Sequence, residues 1–205
     1  PIPPTLSCDS GTLNAVGIRI DNGGNSSQIT TTTEALAIHA EWLDAGSPAS
    51  GLIDGGTYNV AASGSSTVDR IDFGGAGHDF TGTLPYPGYS AGVDGSDFLV
   101  HTSGTLSLPA GDYTIYVESD DGFSFIMNTL SGDAVSFNKF GSTNAGASNE
   151  VRHETTTGNS NTGGSFTLTQ DSLFDIAAIF FERGGGDYLE ISIANEILTN
   201  EAPSG

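Results

Sequence analysis

Residues 110–127 constrain the fold more than any other stretch of this chain. Ala110-Gly111-Asp112 reads as a turn, after which Tyr113, Ile115 and Val117 alternate with Thr114, Tyr116 and Glu118. That period of two is the mark of a half-buried strand. The alternation breaks at Asp120-Asp121-Gly122 and resumes as Phe123, Phe125 and Met127. Two adjacent carboxylates between apolar strands are costly unless something positive sits beside them. Successive side chains of an extended chain point to opposite faces, so both acids can grip one cation only where the backbone between them is distorted. A following glycine helps the chain do that.

The rest of the chain repeats the strand signal. Leu13 to Ile20, Thr57 to Ala61, Val68 to Phe73, Phe98 to Pro109, Ala134 to Phe140, Phe166 to Thr169, Leu173 to Glu182 and Tyr188 to Ala194 all read as strands. One helix interrupts them. Thr31 and Glu34 stand at capping-box spacing, followed by Ala35, Ile38 and Trp42 with Leu36, Ala40 and Leu43 at three-to-four-residue steps, and Asp44 to Pro48 end it. Trp42 is expected as a core anchor and His39 as a residue of the helix face. The fold expected is all-β, an antiparallel sandwich or flattened barrel with one short peripheral helix. Residues 1–33 form an extension and first strand, 34–195 the sandwich, and 196–205 a tail or linker, a single domain overall. Its core is expected to hold Tyr113, Ile115, Val117, Phe123, Phe125, Ile176, Phe180, Leu189 and Ile191.

Between strands lie four loops. Asp21 to Asn25 reads as an ordinary turn lacking the acids of a calcium loop. Gly74 to Phe80 reads as a glycine loop, because its likeness to the β-roll calcium repeat occurs only once and that motif works by stacking. Thr83 to Tyr89, with prolines beside tyrosines, is either a platform flanking a ligand or a packed lid on the sandwich edge. Gly141 to Gly164 is a long polar run with a short strand around Val151 to His153, of the kind that is functional or mobile.

Composition narrows the function. Lys and Arg number 5 against 25 Asp and Glu, a net charge of −20. Such a chain repels phosphate backbones and anionic membrane surfaces, so nucleic acid is excluded as a partner. The acidity suits either solubility in extracellular or salty surroundings or the binding of divalent cations. The single cysteine, Cys8, offers neither an internal disulfide nor a zinc cluster. No apolar run reaches the length of about 18 residues that would insert in a membrane. The chain starts at Pro1 without methionine, as a mature or excised segment would.

The strand Gly111-Asp112-Tyr113-Thr114 leading into Ser119-Asp120-Asp121-Gly122, and the later run Ile179-Phe180-Phe181-Glu182-Arg183-Gly184-Gly185-Gly186-Asp187-Tyr188-Leu189-Glu190-Ile191, resemble the core of the protective-antigen domain family. Members occur in bacterial toxins, glycosidases, fungal flocculins and bacterial adhesin lectins, and the resemblance covers residues 34–195. It implies a calcium ion held by Asp120 and Asp121 across a cis peptide. Further ligands would come from alternate positions of the second loop, Arg183, Gly185 and Asp187, beside Gly184. Gly185 and Asp187 serve through backbone oxygens. Arg183 departs from the pattern, standing where the calcium lectins carry Asn or Gln, and guanidinium has no acceptor.

Three states of the acid pair stay open: calcium with water completing the shell, a metal-free pair with Arg183, or a solvated turn. An enzyme is not expected. Adjacent acids at a turn are poorly suited to flank a glycosidic bond, no nucleophile elbow or zinc-protease helix occurs, and His39, His78, His101 and His153 show no ligand spacing. The expected function is a calcium-dependent, carbohydrate-binding module of an extracellular adhesin or surface protein, with calcium as cofactor. The alternative is a surface-layer or filament subunit that packs against neighbouring copies.

Overall fold

The two strands of residues 110–127 belong to opposite sheets. The computed structural model describes residues 12–21, 29–74, 84–88, 96–142 and 146–199. Its elements are β1 (Leu13–Ile20), α1 (Thr32–Asp44), β2 (Gly51–Ile53), β3 (Tyr58–Val68), β4 (Asp72–Gly74), β5 (Phe98–Leu108) and β6 (Gly111–Asp120). They continue as β7 (Phe123–Ser131), β8 (Asn138–Gly141), β9 (Glu150–His153), β10 (Ser160–Leu168), β11 (Ser172–Glu182) and β12 (Tyr188–Ala194). A seven-stranded sheet runs β2-β3-β1-β5-β11-β7-β9 and a five-stranded sheet runs β4-β12-β6-β10-β8. Every pairing between these strands is antiparallel, and the two sheets face each other as a sandwich.

The main core lies between the sheets and holds all nine residues expected there, from Tyr113 to Ile191. A second core lies on the outer face of the larger sheet, where Ile38 and Trp42 of α1 cover Ile18, Leu99, Ile179 and Phe181. Adjacent residues of β11 therefore face different cores, Phe180 inward and Phe181 towards the helix. Thr31 caps α1 by accepting the Glu34 amide at 3.1 Å, and Trp42 is a core anchor whose Nε1 donates to the Pro48 carbonyl at 2.9 Å. His39 is more than a face residue: its ring stacks on His101 of β5, centroids 4.1 Å apart.

Several boundaries differ from the sequence expectation. β3 runs for 11 residues and includes Val68, so the strand expected at 68–73 is the shorter β4. Residues 134–137 are irregular and only 138–141 pair. The long polar run is shortened, because β10 starts at Ser160 and buries Thr162, Gly163, Gly164 and Ser165. Its glycines are wanted for space: a Cβ on Gly164 would lie 2.9 Å from the Phe137 ring, and one on Gly163 would enter that of Phe140. β6 is buried on both faces at its centre, Thr114 and Tyr116 included. Thr114 Oγ1 donates to the Glu196 carbonyl at 2.7 Å and accepts the Leu198 amide at 2.9 Å, which pins the start of the tail. Tyr86 packs among Phe73, Phe98 and Phe180, so the described part of its loop, 84–88, packs on the sandwich. The turn at 22–25, the loop from Gly75 to Phe80, Tyr89 and Cys8 lie outside the described residues.

Candidate metal and ligand site at a sandwich corner

Three connections cross from one sheet to the other at one end of the sandwich, and together they make a cleft. Asp121-Gly122 joins β6 to β7, residues 154–159 join β9 to β10, and 183–187 join β11 to β12. The cleft is about 420 Å³ and is lined by Asp120, Asp121, Thr156, Thr157, Gly158, Arg183, Gly184 and Gly186. The peptide between Asp120 and Asp121 is cis. Gly122 is required by close approach: a Cβ there would sit 2.6 Å from the Phe181 ring and 2.9 Å from the His153 and Thr155 carbonyls. Gly184 and Gly185 carry φ of 154° and 125°, which a side chain rarely allows.

Asp121 is buried and holds the corner together. Its Oδ1 accepts the Thr157 amide at 2.7 Å and its Oδ2 the Arg183 amide at 3.0 Å, so one carboxylate ties both flanking loops to the acid pair. Asp120 is half-buried, its Oδ2 lying against Gly186, where a Cβ would come within 3.1 Å. A third carboxylate completes the cluster. Glu182, the last residue of β11, is fully buried, and the ligand oxygens of Asp120, Asp121 and Glu182 lie within 4.8 Å of one another.

Glu182 Oε1 accepts the Gly184 amide at 2.5 Å, while Oε2 is buried without a hydrogen-bond partner among the described residues. Burial, and then the charges of Asp121, Asp120 and Asp187, push this carboxyl up to about 9 against the pull of the Gly184 amide. An orphaned carboxylate oxygen beside two other acids is the arrangement a hard cation relieves, since calcium takes about six to eight oxygens, carboxylates foremost. The residues present therefore fit a metal ion.

The structure brings Asp120, Asp121, Arg183 and Gly184 to one cleft. Gly185 stands outside its lining, with open space around the position of a Cβ, and the Asp187 carbonyl lies against Gly74 of β4. Among the described residues no ion pair joins Arg183 to Asp120 or Asp121. Glu182 escapes the sequence reading, which holds the 156–158 loop only as part of the functional or mobile run from Gly141 to Gly164. The signal for Glu182 was present: Ile176, Ala178, Phe180 and Glu182 share one face of β11, so the alternation carries a carboxylate into the interior. Nothing in the sequence marks Thr157, because its contact with Asp121 spans 36 residues.

No family model matches the sequence, and no curated protein does. The fold is that of a PA14 domain, the protective-antigen module. The PA14 sugar-binding domain of an RTX adhesin is similar at a TM-score of 0.52 and 20% identity, over 89% of this chain and 88% of that one. The PA14 domain of the antifreeze protein MpAFP is similar at a TM-score of 0.52 and 17% identity, over 94% and 85%.

Proposed function

We propose that this chain is a calcium-dependent carbohydrate-binding module of an extracellular adhesin or surface protein. The observation that carries the reading is the carboxylate cluster of Asp120, Asp121 and Glu182, with its orphaned buried oxygen, opening into a polar cleft. Asp120 and Asp121 would hold the ion, with Glu182 within reach behind them. Water would supply further oxygens, and Gly185 and Asp187 would join it where the 183–187 loop turns inward from its position in this structure. Calcium would fix the site and offer exchangeable positions to vicinal sugar hydroxyls. The cleft's threonines and glycine backbone suit hydroxyl recognition, and the likeness to a sugar-binding adhesin domain supports the same reading. Acids crowded on one side of a cleft suit holding a ligand rather than cleaving it.

Melting in calcium and in chelator tests the metal. An ion that binds only the folded chain adds about 2.7 kcal/mol at one hundred times its dissociation constant, so the calcium curve should lie well above the chelator curve. A saccharide array probed in both conditions should show binding in calcium alone. Coincident melting curves, or an array blank in calcium, would overturn the reading.

A further inference from the structure

We infer that the cleft is built for an anionic saccharide, one bearing a uronate carboxylate or a sulfate ester beside its hydroxyls; the inference rests on the sugar-binding reading. It starts from the cations. The chain has 5 Lys and Arg residues against 25 acids. Arg70 pairs with Asp69 and Asp72, Arg152 with Glu150 and Glu154, and Lys139 with the Gly146 and Ala147 carbonyls, while Arg19 is engaged as well. The Arg183 guanidinium alone makes no hydrogen bond or ion pair among the described residues, although its backbone amide is tied to Asp121. Arg183, with the charge of Asp97 in range but no hydrogen bond or ion pair of its guanidinium among the described residues, thus stands as an exposed cation in the cleft lining.

Two physical arguments give that placement a ligand. A guanidinium is a planar fork of donors matched to carboxylate and sulfate oxygens, and it binds them more strongly than neutral hydroxyls. It also stands beside the site of a divalent cation, where like charges repel. An anionic group on the sugar answers both, accepting from Arg183 on one side while the sugar's hydroxyls meet calcium on the other. The chain's charge of −20 makes diffuse adsorption of acidic polysaccharides unfavourable, so any preference for them must arise at a local site.

The test is calorimetry on the full chain in calcium with methyl galactoside, methyl galacturonide and galactose 6-sulfate, repeated on Arg183→Gln and Arg183→Lys. The uronide or the sulfate should bind about tenfold or more tighter than the neutral sugar. Which of the two leads identifies the anion. Arg183→Gln should collapse that ratio towards one, and Arg183→Lys should retain part of it, because lysine keeps the charge and loses the fork. Equal affinity for charged and neutral sugars, or a preference untouched by Arg183→Gln, would overturn the inference and leave sugar binding standing. Calcium binding with no affinity for any of the three, and none on the array, would overturn both.

Discussion

Glu182 shows how one buried group can carry opposite weights in the absence and presence of an ion. Without an ion, burial and then the charge of Asp121 make its carboxyl take up a proton on folding at neutral pH, and its Oε2 meets no hydrogen-bond partner among the described residues. Replacing it by Gln keeps the shape and removes the cost of that proton uptake. In chelator, Glu182→Gln should raise stability by about 1–3 kcal/mol, the scale of an uncompensated buried polar group. In calcium the variant should gain less from the ion than the parent does. Melting in the two buffers reads both effects, and a loss of stability in chelator would show that the carboxylate is already compensated. Asp121 has a different weight. Its carboxylate accepts amides from two loops, so Asp121→Ala should speed hydrogen exchange at Thr157 and Arg183 even in chelator, where no metal is at stake. Unchanged protection at those amides would reduce Asp121 to a metal ligand only.

Among the elements, α1 is the least conventional, because it docks on the sheet through a pair of imidazoles as well as through Ile38 and Trp42. Glu154, paired with Arg152, accepts the Thr32 and Thr33 hydroxyls and fastens the helix start to the end of β9. Burial, and then the neighbouring His39, lower His101 to about 4 from an ordinary 6.5. The folded state therefore favours the neutral ring, and between those values the unfolded chain binds more protons. Stability is full above pH 6.5 and is lost as pH falls through about 4, by on the order of 3 kcal/mol. His101→Phe keeps a ring on His39 and removes this titration. Its melting in chelator should fall less steeply across that window than the parent's. Parallel curves would mean that His101 is charged in the fold.

On the scale of the whole molecule, the sandwich is what makes a site from loops. β6, β9 and β11 each hand the chain to the opposite sheet at the same end, so three corners that are remote in sequence share one cleft. The core behind them sets their positions. Phe125 is fully buried between the sheets, and Phe125→Ala should cost about 3–5 kcal/mol in urea unfolding with little change in slope. A loss under about 1 kcal/mol would mean that the core relaxes around the gap.

Local pattern determined the strands, the capped helix and the interior faces, since side-chain period follows from backbone geometry and burial follows from apolar periodicity. Tyr113, Ile115 and Val117 are legible in this way, and so are Phe123 and Phe125. The Asp120-Asp121 pair stood out for the same reason, as charge where the pattern demanded none. Tertiary structure decided what a local pattern cannot carry. It placed β6 and β7 in different sheets and buried the polar β10, whose glycines accommodate the rings of Phe137 and Phe140. It stacked His39 on His101, brought Thr157 onto Asp121 and gathered Glu182 to the acid pair. Each of these is a contact between segments far apart in the chain, and only the closing of the two sheets on each other brings such segments within reach.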